Sequence, residues 1–238
     1  MIDPSYFGPH FWVALLEIIG INIILSGDNA VVIALACRSL PPRQQKWGIA
    51  LGTGAAVVLR IVFTIFIVYL MAIPYLKLIG GLLLFWIAIK LVVPEDGHGG
   101  EEVEGASNLW AAVRIVAIAD AVMSLDNVIG IAAAAKDDLV LITIGLATSI
   151  PIVVFCSTLI MKVMGRFPII IWAGGALLGW VAGDVMVTDP AIVNWVNAQA
   201  PWLHRGGPAG GAIIVILAGL VIGRIAAARR RKEVDLVS

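Results

Sequence analysis

Charge is what this sequence has little of. Asp, Glu, Lys and Arg make up 13% of its 238 residues, while 61% are hydrophobic and the mean hydropathy is +1.01. A soluble domain carries about twice that share of charge, so an ordinary soluble enzyme is excluded. Cysteine is nearly absent: Cys37 and Cys156 sit in or beside apolar runs and form neither a metal-spacing pair nor a disulfide framework. Histidine is scarce too, and His10, His98 and His204 all fall in loops or tails. The balance of 16 basic and 16 acidic residues leaves no excess to attract nucleic acid. Met1 to His10 has no basic cluster and no cleavage-like site after it, so it does not read as a signal peptide. What is abundant is apolar length. A hydrocarbon span takes about 20 residues, so seven spans would use roughly 140 positions and leave no extramembrane domain.

Seven apolar stretches run near 11–36, 47–71, 75–93, 110–134, 139–162, 168–187 and 210–226. The expected fold is all-α, with seven transmembrane helices. Pro41-Pro42, Pro74 and Pro168 punctuate the stretches. The longest break, 94–109, carries Asp96, Glu101, Glu102, Glu104 and four glycines, and reads as a flexible acidic linker. Residues 188–209 form a second break with Trp195 and Trp202, suited to a short helix lying at a membrane surface. Counting Lys and Arg near span ends gives 12 on the C-terminal side against 3 on the other. That bias predicts an N-terminus outside, a C-terminus and linker in the cytoplasm, and a bacterial inner membrane as the location.

An internal repeat organises the chain. Laid without a gap over Trp110 to Lys136, Trp12 to Arg38 matches at eight of 27 positions. The matches include Ser26, Asp28 and Asn29 against Ser124, Asp126 and Asn127, and Asn22 falls opposite Asp120. Further on, Gly80-Gly81 matches Gly174-Gly175 and Trp86 matches Trp180, with the offset shifted from 98 to 94. The expected division is a first three-helix repeat over 1–93, the linker 94–109, a second repeat over 110–187, an extracytoplasmic loop 188–209 and a seventh helix with basic tail over 210–238. Three spans per repeat is an odd number, so the second repeat enters the membrane from the opposite face, an inverted-topology arrangement common in transporters.

Charged groups deep in a span are costly and face the protein interior. Asp28 and Asp126 lie mid-span, each followed by an asparagine, and Asp120 is a third such carboxylate. At 100° per residue, Asn22, Ser26 and Asn29 share an arc of about 60°, as do Asp120, Ser124 and Asn127. Asp28 and Asp126 lie about 100° off those arcs, so either the helix unwinds there, as Gly27 permits, or the Asp reaches a neighbouring helix. Carboxylate, amide and hydroxyl oxygens form a hard shell that suits Mn²⁺, Mg²⁺ or Ca²⁺ better than Zn²⁺ or Cu²⁺. The expected metal set is Asp28, Asn29, Asp126, Asn127, Asp120, Asn22, Ser26 and Ser124. Polar side chains also serve as glue between helices, but an uncompensated carboxylate is expensive glue. Arg60, mid-span, reads as counter-ion to one of the aspartates. Glu17 is a relay carboxylate or an interfacial charge. Met123 is a gap filler before it is a ligand. Lys90 and Asp184 read as snorkelling charges, and Gly175, Gly179 and Gly183 as a smooth face for close helix packing.

The segments L-S-G-D-N-A-V-V-I-A at 25–34 and A-D-A-V-M-S-L-D-N-V at 119–128 resemble those of the TerC family of integral membrane proteins, and within it the short bacterial branch of YjbE type. The resemblance spans about 12–187. It implies a manganese exporter within a superfamily that includes lysine exporters, with Asp28, Asp126 and their asparagines at the ion path. No enzyme activity and no prosthetic group are expected. Mn²⁺, or another hard divalent ion, is the expected cargo, proton or metal gradients the drive, and Asp120 and Glu17 the candidate proton carriers. The expected surroundings are the lipid bilayer, with a homo-oligomer left open. Two other functions compete: an amino-acid or organic-cation exporter, whose ammonium the same carboxylates can hold, and a non-transporting membrane partner in metallation.

Overall fold

The computed structural model describes residues 8–25, 27–93, 104–135 and 138–237, with side chains described throughout these except at 9–10, 21–25, 67–68, 71–72, 104–107, 126–135, 139 and 226–237. Ser26 and linker residues 94–103 therefore lie outside the described residues, as do the side chains of Asn22, Asp126 and Asn127. Every element among the described residues is an α-helix: α1 (Pro9–Leu25), α2 (Gly27–Cys37), α3 (Pro42–Ala72), α4 (Leu76–Val92), α5 (Glu104–Ala135), α6 (Leu139–Arg166), α7 (Ile169–Val187), α8 (Val193–Gln199) and α9 (Leu203–Val237). Helices follow from the composition, because a backbone in hydrocarbon must satisfy its own hydrogen bonds. Five segments are long and apolar enough to cross a bilayer: Pro42–Phe66, Asn108–Leu125, Val140–Arg166, Ile169–Val187 and Leu203–Ile225. α4, at 17 residues, rises about 26 Å, close to the hydrocarbon thickness of ~30 Å. Large apolar side chains such as Leu16, Tyr69, Leu82 and Phe155 are exposed, as befits surfaces solvated by lipid.

Two boundaries differ from the sequence expectation. α5 starts at Glu104, so the last part of the predicted linker is helical. Acidic residue types are favoured at the start of a helix by its dipole, and Glu104 stands at that position in the sequence. α9 starts at Leu203 and runs through Pro208, seven residues before the expected seventh stretch. The Gly206-Gly207-Pro208 run reads locally as a loop, but tertiary packing holds it in the helix.

The chain divides into two compact units: Met1–Ile73 with Glu102–Arg166, and Pro74–Glu101 with Phe167–Ser238. The units cut across the repeats, since each repeat gives its first two spans to one unit and its third to the other. In the first unit, α1 and α2 pack on α6, α3 packs on α5, and α2 packs on α5. Phe11, Leu15 and Ile18 of α1 bury against Leu141, Ile142 and Leu146 of α6.

In the second unit, α7 packs on both α4 and α9. The α7 glycines are the reason the helices approach so closely. A Cβ on Gly179 would fall 2.5 Å from the Gly211 carbonyl oxygen, and one on Gly183 would fall 2.3 Å from that of Gly207. This is the small-residue contact by which apolar helices associate through packing alone. The same unit holds a long-range helix cap. Asp189, fully buried just after α7, accepts hydrogen bonds from the N–H groups of Tyr75 at 3.0 Å, Leu78 at 3.1 Å and Ala191 at 2.7 Å. Tyr75 has φ 67°, a left-handed conformation that costs a non-glycine residue of the order of 1 kcal/mol. Asp189 ties down the N–H groups of that strained turn and of the first turn of α4.

Candidate functional site

The first unit brings several of its buried polar groups together. Arg60 lies inside α3, in the apolar run Val57-Val58-Leu59-Arg60-Ile61-Val62, and is 4% exposed. A guanidinium there is tolerable only if it is paired. It donates from Nη2 to Asp120 Oδ1 in a buried salt bridge and from Nε to Ser124 Oγ at 3.0 Å. Ser124 Oγ in turn donates to Asp120 Oδ2 at 3.1 Å. Asp120 and Ser124 are one turn apart on α5, so a single helical face closes the triangle with Arg60.

Beside this triangle stand polar groups with no partner. Asn29 of α2 is 5% exposed, and both its Oδ1 and its Nδ2 are buried without a hydrogen bond. The Thr53 hydroxyl of α3 is in the same condition. Asn29, Thr53, Arg60 and Asp120 line one cavity, which Ser149 of α6 also borders, and a smaller cavity is bounded by Asn29 and Asp120 together. Ser149 itself is satisfied by donating to the Gly145 carbonyl at 2.9 Å. A buried polar group left unpaired costs about 1–3 kcal/mol, and in native proteins such groups call for a reason. Two of them facing a cavity that also holds an ion pair make a place shaped for a polar guest.

Asp28 occupies the first turn of α2, half-buried, and accepts the Asn29 backbone N–H at 2.8 Å. That N–H is available to a side chain instead of a helical carbonyl, so the backbone at Gly27–Asn29 presents groups a regular helix interior would consume. Asp28 is the chain neighbour of Asn29, which lines the cavity.

The residues expected from the sequence sort plainly. Asn29 and Asp120 line the cavity, Ser124 is hydrogen-bonded to Asp120 and Arg60 behind it, Asp28 is next to Asn29 in the chain, and Arg60 is a counter-ion as anticipated, its partner being Asp120. Asn22 lies on α1 and Asp126 and Asn127 on α5, and the positions of their side chains fall outside the described residues, as does Ser26. Among the described residues, no three His, Cys, Asp or Glu side chains come together as a metal cluster. Met123 is buried as a packing residue. Glu17 is exposed, and Lys90 lies 5.4 Å from the Trp86 ring centre. Sequence reasoning passed over Thr53 and Ser149. The repeat does not flag them, since they stand 96 positions apart, at neither the 98 nor the 94 offset.

The family model described as "Integral membrane protein TerC family" matches residues 7–232, and the chain belongs to that family. It is 40% identical over 182 residues to the uncharacterized membrane protein YjbE of Bacillus subtilis (strain 168), covering 76% of this chain and 83% of that one. It is 26% identical over 226 residues to the uncharacterized membrane protein YkoY of the same organism, covering 86% and 68%. With the UPF0053 inner membrane protein YoaE of Escherichia coli (strain K12) it shares 26% over 186 residues, 69% of this chain but only 32% of that protein. No solved structure matches the chain. The protein is thus a multi-pass integral membrane protein.

Proposed function

We propose that this protein is a transporter, not an enzyme, which exports Mn²⁺ across the bacterial inner membrane through a carboxylate and amide site formed where its two repeats meet. In this reading seven spans cross the bilayer, with α1 and α2 together making the first and α9 the last. The N-terminus is outside and the C-terminus cytoplasmic. Asp28 and Asp126 supply the charged ligands, with Asn22, Ser26, Asn29 and Asn127 around them.

One observation carries the proposal. Asn29 from the first S-x-D-N segment and Asp120, bonded to Ser124 of the second, border the same cavity in the protein interior. Segments duplicated 98 residues apart thus converge on one polar spot. Inverted repeats bring their substrate ligands together in this way. The packing supports the same reading: the first span of each repeat packs on the second span of the other, α1–α2 on α6 and α5 on α3, and the two third spans pack on each other, α4 on α7. That pattern is unchanged when the repeats are exchanged.

Hard oxygen ligands favour Mn²⁺, Mg²⁺ or Ca²⁺, and the family resemblance selects Mn²⁺ among them. The Arg60 pairing changes one assignment: Asp120 serves as partner of a fixed cation and is not a free ligand. The test is flux in vesicles reconstituted with the purified chain, comparing Mn²⁺, Ca²⁺, Mg²⁺ and lysine. Selective Mn²⁺ flux is expected. Lysine flux would favour an amino-acid exporter, and no flux of any of the four would favour a non-transporting metallation partner.

A further inference from the structure

We propose that Thr53 is a positioning residue for Asn29, acting through one water molecule held between them, an inference that rests on the ion-site reading above, in which Asn29 serves the cargo. Thr53 is 2% exposed and Asn29 5%. The Thr53 hydroxyl and both polar atoms of the Asn29 amide are buried without a hydrogen-bond partner, and both residues line the cavity that Arg60 and Asp120 also line. Thr53 and Arg60 stand seven residues apart on α3, about two turns along one face. A hydroxyl in an apolar helix commonly donates to a carbonyl one turn back, as Thr64, Ser149 and Ser157 do. Thr53 makes no such bond, so its hydroxyl is left for the cavity.

These groups define the guest. The cavity gives ≈ 20 Å³ to the centre of a water molecule. One water needs about 10–15 Å³ by that measure, with two to four polar partners, and an amino acid is far too large. A bare cation or an ammonium group satisfies only acceptors. It leaves Asn29 Nδ2 orphaned and meets the positive charge of Arg60 on the cavity wall. A water accepts from Asn29 Nδ2 and from the Thr53 hydroxyl, and donates to the Asp120 carboxylate. That carboxylate has room, because it offers about four lone pairs and Arg60 and Ser124 each take one. The consequence is for Asn29. Its amide can turn either end to the cargo, but only the oxygen can ligate a cation. A water anchored by Thr53 and Asp120 takes the Nδ2 end and leaves Oδ1 for the ion.

The experiment measures Mn²⁺ binding, per folded molecule, to the purified full-length chain and to T53V and T53S, beside a high-resolution structure of the unaltered chain. T53V keeps the shape of the side chain and removes its hydroxyl, and is expected to weaken Mn²⁺ binding by about tenfold. T53S keeps the hydroxyl and is expected to bind within about threefold of the unaltered chain. A T53V affinity within about threefold of the unaltered chain overturns the proposal. So does T53S binding as weakly as T53V, because the methyl group and not the hydroxyl is then what matters. If T53V does not accumulate in the membrane, the structure decides: an ordered water within hydrogen-bond distance of both the Thr53 and the Asn29 side chains is expected, and a cavity without one overturns the proposal. Failure of the unaltered chain to bind Mn²⁺ is a different result, since it removes the ion-site reading itself and this proposal with it.

Discussion

The two compact units solve the problem of burying polar atoms in opposite ways. In the second unit, the buried carboxylate of Asp189 accepts several backbone N–H groups, and α7 meets α9 over glycines. In the first unit, Asn29, Gln44 and Thr53 hold the buried side-chain atoms left without partners among the described residues, and an ion pair sits beside two of them. Saturated polar groups and tight glycine seams make a rigid scaffold. Unsaturated ones are a standing cost of about 1–3 kcal/mol each, which a binding site recovers when its guest arrives. Under the proposed function the first unit carries the ion site and the second is scaffold, and substitutions in each should separate the two roles.

The largest expected effect is on flux. Asp28→Asn keeps the shape of its side chain and removes one charge from the proposed site, as does Asp126→Asn. Each should lower Mn²⁺ flux in vesicles by about a hundredfold or more, since the charged ligand is what offsets dehydration of the ion. Thermal stability should hold or rise, because fewer negative charges then repel one another. Normal flux in either variant, or lost stability with unchanged flux per folded molecule, would sink the ion-site assignment and erase the contrast between the units.

Next comes the stability of the buried pair. Arg60→Ala strips Asp120 of its counter-ion and should cost about 3–5 kcal/mol, the usual penalty for leaving a buried charge alone. Arg60→Ala together with Asp120→Ala should cost less than Arg60→Ala by itself, because the stranded carboxylate is gone. Thermal denaturation in detergent measures both, and a double variant less stable than the single would show that the pair contributes more than mutual neutralisation.

The glycine seam of the second unit offers the counterpart. Gly179→Val drives a side chain into the Gly211 carbonyl, and should cost about 1–3 kcal/mol or more by overpacking. Flux per folded molecule should be unchanged if this unit is scaffold. A specific loss of transport in a stably folded Gly179→Val protein would place moving parts in the α7–α9 contact.

These contrasts also mark what could be read without coordinates. Apolar runs set the helices, the repeat exposed the paired S-x-D-N segments, Arg60 declared itself as a counter-ion by lying mid-span, and a four-residue spacing announced the glycine face. All of these are local or periodic signals. The choice of Asp120 as the partner of Arg60 was not legible, since it depends on which helices neighbour each other and not on period. The regrouping of each repeat's third span into a separate unit was hidden for the same reason. Thr53 and Ser149 were obscured because hydroxyl residues in apolar helices usually bond their own backbone, as Ser149 does. The start of α9 was missed because Gly206, Gly207 and Pro208 carry loop chemistry that only contact with α7 overrides.

The smallest expected effect belongs to Asp189, the least legible of all. Its N–H donors at Leu78 in α4 and at Tyr75 just before it lie 111 and 114 residues away in sequence. Burial alone would raise its pKa, but the N–H groups of Ala191, Tyr75, Leu78 and Lys77 outweigh that and hold it below the ordinary value of 3.8. A carboxyl whose folded pKa is depressed adds stability that is fully present above its unfolded value and is lost as pH falls through the lower folded value. The second unit should therefore keep its full stability at neutral pH and begin to lose the Asp189 contribution only as pH falls below about 4. Asp189→Asn retains an acceptor oxygen but not the charge, so it should lower the melting temperature slightly at pH 7 and remove this component of the acid dependence. Asp189→Ala abolishes the cap, leaves the strained Tyr75 turn without its tether, and should cost about 0.5–2 kcal/mol at neutral pH. Melting curves for the three proteins between pH 7 and pH 3 check the assignment. If the unaltered protein and Asp189→Asn lose stability in parallel over that range, the cap is not held by its charge, and the saturated character of the second unit rests on its glycines alone.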